Sequence, residues 1–223
     1  APEENLVWRS AEAVLAATGR RFGVRMRLDK RIPAGAGLGG GSSDAAAALD
    51  GVNRLAGNAV PRGELFHAAA RLGADVPFFL SGASLALGWG HGDRMLALPP
   101  LPARPMLLIV PPVRVATPEA YQWLDAQQGE VHRGAVAMDL PLLGDWGNLA
   151  RIGGNDFEAV IIARHPELRV AFGALAATHP MLCRMSGSGS VLFAVYRTER
   201  DRDAAVMTLG TKHGTTVATS SAC

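Results

Sequence analysis

Five glycines crowd the stretch from Gly35 to Gly41, at positions 35, 37, 39, 40 and 41, and Ser42, Ser43 and Asp44 follow them directly. Residues without a Cβ adopt positive φ and let backbone N–H groups approach a bulky anion. The alanines after Asp44 predict a helix to about Leu55, starting at Ser42 or Ser43. A helix start adds unbonded N–H groups and the positive end of the dipole, and the combination is a phosphate cradle. Two other readings compete with it. One is a long serine-capped turn whose glycines serve flexibility alone. The other is a dinucleotide fingerprint, since Gly35, Gly37 and Gly40 satisfy G-x-G-x-x-G. That fingerprint needs a strand after the helix, ending in an acid. Here the next segment, NAVPRGELFHAAARLG, has helical spacing. No G-K-[ST] closes the run, which excludes a Walker loop.

The second residue able to do chemistry is Asp75, in Gly73-Ala74-Asp75-Val76-Pro77-Phe78-Phe79. Its position is that of an N-cap, with Pro77 in the first turn of a short helix. The same carboxylate beside an anion site could orient or deprotonate a hydroxyl. Spacing alone leaves both readings open. Tyr121 lies one turn into a helix that starts at Thr117-Pro118, where a tyrosine is expected in the core. Exposed there, it could stack on a flat ring instead. A second Gly/Ser loop, Met185-Ser186-Gly187-Ser188-Gly189-Ser190, reads as a tight helix-to-strand connection. No H-E-x-x-H or G-x-S-x-G is present, and no His or Cys spacing matches a zinc site.

The elements that must carry these residues follow from periodicity. Glu4 to Thr18 place Leu6, Val7, Ala11, Val14 and Leu15 on one helical stripe that Gly19 stops. FGVRMRLDKRI alternates as a strand does. Pro61 to Leu72 predict a helix, Ser84 to Leu87 a strand, and GWGHGDRM a turn. LPPLPARP marks a boundary, giving domains 1–98 and 99–223. The second half reads as strand Met106–Val110, helix from Thr117, a loop with a short helical piece from Gln127 to Trp146, and a helix from Asn155. In that helix Glu158 is placed to complete a capping box. Helical spacing breaks at His165-Pro166 and resumes to Thr178. A strand Val191–Tyr196, a helix Asp201–Thr211 and a strand Thr215–Ala218 complete it. That order suits an antiparallel sheet with helices on one face, an α+β fold.

Composition excludes several classes. With 48% apolar and 19% charged residues the chain is globular, and a formal charge of +2 without basic runs argues against a nucleic-acid surface. No apolar run reaches the length of a membrane span, and the two cysteines, Cys183 and Cys223, form no disulfide framework. A reducing cytoplasm is the expected setting.

Taken together, four ordered segments resemble the GHMP small-molecule kinases. Ile32-Pro33-Ala34-Gly35-Ala36-Gly37-Leu38-Gly39-Gly40-Gly41-Ser42-Ser43-Asp44-Ala45-Ala46 is similar to their phosphate loop, P-x-x-x-G-L-G-S-S-A-A. Its triple glycine, with Gly73–Phe79, Asn155-Asp156-Phe157-Glu158 and Met185–Gly189, is similar to the 4-diphosphocytidyl-2-C-methyl-D-erythritol kinase family in particular. The resemblance implies an α+β, two-domain GHMP kinase fold, with a ribosomal protein S5 domain 2-like N-terminal domain and a ferredoxin-like C-terminal domain. It implies ATP and Mg²⁺ as cofactors and phosphorylation of the 2-hydroxyl of 4-diphosphocytidyl-2-C-methyl-D-erythritol in the non-mevalonate isoprenoid route. Homoserine or mevalonate kinase activity, or a non-catalytic nucleotide-binding remnant, are the alternatives.

By the same resemblance Asp75 is the catalytic residue and touches substrate. Pro33, Gly35, Gly37, Leu38, Gly39, Gly40, Gly41, Ser42 and Ser43 bind ATP phosphates, Asn5 and Leu6 line the adenine pocket, and Lys30 lies at its edge. Thr117 and Tyr121 form the cytidine-side wall, and no side chain is assigned to metal. The partner is a small molecule, with neither nucleic acid nor membrane, and the expected state is a monomer or weak homodimer. The family's catalytic lysine lies on an upstream A-K-[IL]-N-L strand that has no counterpart here. The resemblance thus implies that about 60 N-terminal residues are missing, with two edge strands whose absence would leave backbone unpaired.

Overall fold

A computed structural model describes residues 2–20, 22–92, 94–127 and 140–221. The chain falls into two compact units, Ala1–Ala34 with Gly39–Pro99, and Gly35–Leu38 with Pro100–Cys223. The glycine run is therefore divided. Its first four residues cluster with the second unit, and Gly39 onward belongs to the first.

In the first unit, α1 (Leu6–Ala17), α2 (Gly40–Leu55), α3 (Arg62–Leu72) and α4 (Val76–Ser81) precede a hairpin of β1 (Ala86–Trp89) and β2 (Arg94–Ala97). The Asn5 side chain caps α1, accepting from Val7 N at 2.9 Å. Ala11, Val14 and Leu15 of α1 meet Ala45, Ala46, Leu49 and Val52 of α2, with Leu65 and Ala69 of α3 beside them. Small alanines on the contact face let these helices approach closely. Buried Asn53 then closes the α2–α3 connection, donating to Val60 O at 3.1 Å and accepting from Val60 N at 2.9 Å.

Two expectations are corrected here. Phe22 to Ile32 alternate as a strand, yet no described strand pairs with them, and Met26, Leu28 and Ile32 are exposed. Alternation supplies two faces, but a strand also needs a neighbour to take its N–H and C=O groups. Gly88, Trp89, Arg94 and Met95, read as turn, instead pair in the β1–β2 ladder, where Gly88 faces Met95.

The second unit is a four-stranded antiparallel sheet in the order β4-β5-β3-β6, from β3 (Pro105–Val110), β4 (Leu182–Met185), β5 (Leu192–Val195) and β6 (Thr215–Ser220). Its helices are α5 (Thr117–Gln127), α6 (Trp146–Ile152), α7 (Asp156–Arg164), α8 (Pro166–Ala176) and α9 (Glu199–Leu209). Full burial alternates along β3 at Leu107 and Ile109. These side chains share a core with Ile161, Leu168, Leu175 and Leu209 of α7, α8 and α9. Alternation of that kind marks a sheet with one face covered by helices.

Strand β4 and helix α6 were not expected. Three half-buried residues and the buried Met185, shortly after a helix, carry too little alternation to declare a strand, and residues 128–139 of the expected loop lie outside the described residues. No helix among the described residues is long and apolar enough to cross a membrane.

Candidate functional site

Helix α2 begins at Gly40, two residues before the serines expected to start it, and its N-cap is Gly39 in the left-handed region at φ 64°. Gly35 and Gly37 are also left-handed, at 69° and 76°. The first bond of the helix runs from Ser43 N to Gly39 O, at 2.9 Å. Ser42 and Ser43 thus stand inside the first turn, and no acidic side chain is there. The leading N–H groups of such a turn have no intrahelical acceptor, so they can serve an anion.

Glycine is required at two of these positions by what lies against them. A Cβ on Gly37 would sit 2.2 Å from Ser186 O, and one on Gly39 would sit 2.8 Å from the Phe79 ring. Leu6 reaches the same helix start, its Cδ1 3.9 Å from where a Gly41 Cβ would be. Lys30 forms an ion pair with Asp44 in the second turn of α2. The structure therefore gathers Leu6, Lys30 and the 39–43 segment at one end of α2. Asn5 is exposed, and its side-chain oxygen is occupied by the α1 cap. Pro33 and Gly35 are exposed on the approach to the loop.

Asp75 occupies the N-cap position of α4, but its backbone is helical (φ −86°, ψ −14°) and its side chain makes no capping bond. The carboxylate is exposed, and no hydrogen bond or ion pair engages it among the described residues. The cap reading of Asp75 thus fails on geometry. Helix α4 is held against α2 by Phe79 at Gly39. The β1–β2 turn backs it, since a Cβ on Gly92 would lie 2.7 Å from Ala74 O.

The second unit carries its own lacing, most of which sequence reasoning missed. Ser186 Oγ donates to Gly37 O at 2.7 Å, and Val191 N donates to Ala36 O at 3.3 Å. Asn155 caps α7 through its oxygen, accepting from Phe157 N at 2.9 Å. Its Nδ2 donates to Met185 O at 2.9 Å and Gly187 O at 2.7 Å. Glu158 does not complete a capping box. It accepts instead from Met185 N at 2.7 Å. The signals were the Ser/Gly loop and the Asn-x-x-Glu spacing, each of which also has a purely local meaning.

Thr117 Oγ1 lies 3.1 Å from Ser188 Oγ. Tyr121 is 54% exposed, against the core expectation, and meets Phe157 edge-on with centroids 5.0 Å apart. Both rings line an open cleft of about 610 Å³ together with Asn155, Arg184, Ser186 and Phe193. An aromatic wall in an open cleft suits a flat ring. Next to Arg184 on β4, burial pushes the Cys183 thiol from 9.0 up to about 12. The Glu158 carboxylate adds to the rise and Arg184 opposes it. Among the described residues no group of three His, Cys, Asp or Glu side chains could hold a metal ion.

Known proteins match both halves of the chain. The GHMP kinases N terminal domain matches residues 5–83, and the GHMP kinases C terminal domain matches residues 136–214. A 4-diphosphocytidyl-2-C-methyl-D-erythritol kinase from Solibacter usitatus is 41% identical over 206 residues, covering 90% of this chain and 64% of the relative. The kinase of that name from Geobacter sulfurreducens is 39% identical over 202 residues, covering 91% and 70%. The chain thus spans about two thirds of the length of these curated relatives. A crystal structure of 4-(cytidine 5'-diphospho)-2C-methyl-D-erythritol kinase superposes with a TM-score of 0.80 at 36% identity, over 98% of this chain and 78% of that one.

Proposed function

The chain belongs to the 4-diphosphocytidyl-2-C-methyl-D-erythritol kinase family of the GHMP kinases, and on that premise we propose that it transfers the γ-phosphoryl group of ATP to the 2-hydroxyl of 4-diphosphocytidyl-2-C-methyl-D-erythritol. The observation that carries the proposal is the close approach at Gly39, beside an α4 whose Asp75 is exposed and does not cap. A cradle that a Cβ would fill, at the start of a helix, fits the phosphates of a nucleotide.

In this reading the amides of the 39–42 segment and the α2 dipole stabilise charge on the phosphoryl oxygens. Asp75 accepts the proton of the acceptor hydroxyl as its oxygen bonds to the γ-phosphorus and the bond to the β,γ-bridging oxygen breaks. Tyr121, with Thr117 near it, takes the cytosine side of the acceptor. Leu6 and Lys30 serve the nucleotide near α2, with Asn5 beside Leu6. Mg²⁺ is assigned to the phosphates of the nucleotide, where it neutralises charge when bound. The reaction serves isoprenoid precursor synthesis, in the cytoplasm, on a small-molecule substrate.

The test is a panel of alcohols. With Mg²⁺ and ATP, ADP should form with 4-diphosphocytidyl-2-C-methyl-D-erythritol and not with homoserine or mevalonate. Turnover of either of the latter in preference would assign a different member of the superfamily, and ATP binding without turnover of any of them would favour a non-catalytic nucleotide module.

A further inference from the structure

We infer that Arg184 is a positioning residue for the glycine loop, acting through the Gly153–Asn155 turn. The inference rests on the kinase reading only for its consequence in ATP binding. Arg184 lies on β4, half-buried, and spends its donors on main-chain oxygens. Nη2 donates to Gly153 O at 2.6 Å and to Ala150 O at 3.3 Å, Nε to Gly153 O at 3.2 Å, and Nη1 to Cys183 O at 2.8 Å. A guanidinium has five N–H donors in a rigid fork. Most of that fork is committed to carbonyls, so Arg184 holds the protein although it lines the Tyr121 cleft.

What it holds is the end of α6, whose last carbonyls have no intrahelical donor. Two residues beyond Gly153 stands Asn155, which returns the grip by donating to Met185 O and Gly187 O, while Glu158 accepts from Met185 N. Strand β4 thus reaches out at residue 184 to the 150–153 segment, and the 155–158 segment reaches back to residues 185–187. Ser186, fixed in the middle of that turn, bonds Gly37 O, and Val191 N bonds Ala36 O. Removing the fork frees the carbonyls at 150 and 153, loosens Asn155, and so loosens the turn against which Gly37 rests.

The experiment compares wild type with Arg184→Met, Arg184→Lys and Asn155→Ala by residue-resolved amide hydrogen exchange and by titration with Mg-ATP. The Val191 amide should exchange about tenfold faster in Arg184→Met, the scale of losing one hydrogen bond to a charged group, while amides of Leu107 to Ile109 in β3 stay unchanged. Lysine, able to keep some of the carbonyl contacts, should fall between. ATP affinity should weaken about tenfold in Arg184→Met, and the double variant Arg184→Met/Asn155→Ala should be no worse than Asn155→Ala alone. Unchanged Val191 exchange in a folded Arg184→Met or Arg184→Lys protein overturns the inference. So does acceleration spread equally through β3, which marks general destabilisation. If wild type binds no nucleotide, the kinase reading falls, and the exchange result still decides the role of Arg184.

Discussion

The Phe79 ring occupies the space that a β-carbon on residue 39 would need, 2.8 Å from its ideal position. Gly39 is also the left-handed N-cap of α2, so steric contact and backbone conformation make the same demand at one residue. Through this pair α4, which carries Asp75, is packed onto the start of α2.

Gly39→Ala should therefore cost about 2–3 kcal/mol of stability, from overpacking together with a left-handed alanine. Shortening the ring in Gly39→Ala/Phe79→Leu should recover part of that loss in a denaturant titration. Strict additivity of the two changes would show that the ring is not the obstacle.

At Gly37 the obstacle is a main-chain oxygen, Ser186 O, 2.2 Å from the added carbon. Backbone cannot rotate away as a side chain can, so Gly37→Ala should weaken Mg-ATP binding by about tenfold or more. Isothermal titration of the folded variant reads this directly, and an unaltered affinity would place the loop's function elsewhere.

How much of this was legible in the sequence depends on whether a residue's role is local. The order of helices around Gly40 and Arg62, the cap at Asn155, and the break at His165-Pro166 are all local and could be read. Asp75 could not be resolved, because a cap and a free carboxylate occupy the same position in sequence. The pull of β4 on Ala150 and Gly153, the Ser186–Gly37 bond and the use of Glu158 by Met185 connect segments far apart in the chain. Residue spacing can mark some of the residues involved, but it does not name their partners. The segment from Phe22 to Ile32 shows the reverse case, a clear alternation with no described strand beside it.

Tyr121 supplies an exposed ring set edge-on to Phe157. Tyr121→Ala should raise KM for the acceptor by up to about tenfold, as expected for one lost aromatic stack, and leave KM for ATP near its original value. Tyr121→Phe should behave as wild type. A change in the ATP term instead would remove the tyrosine from the acceptor side.

Burial raises the Cys183 thiol to about 12 from 9.0, so the folded state holds its proton where the unfolded chain loses it. Its contribution to stability is complete below pH 9.0 and is lost as pH climbs toward about 12. In a Cys223→Ser background, iodoacetamide should leave the native protein unmodified at about pH 8 and label it once unfolded, because the thiolate is the reacting form. Full labelling of the native protein would contradict the shift.

The central claim is that the exposed, non-capping carboxylate of Asp75 does chemistry on the acceptor hydroxyl. The most direct measurement is steady-state phosphorylation by Asp75→Asn, with Mg-ATP affinity measured on the same sample. Turnover should fall by about 10²–10⁴-fold, the range of a lost general base, while ATP affinity stays within about twofold. Turnover preserved within a few-fold would contradict the account.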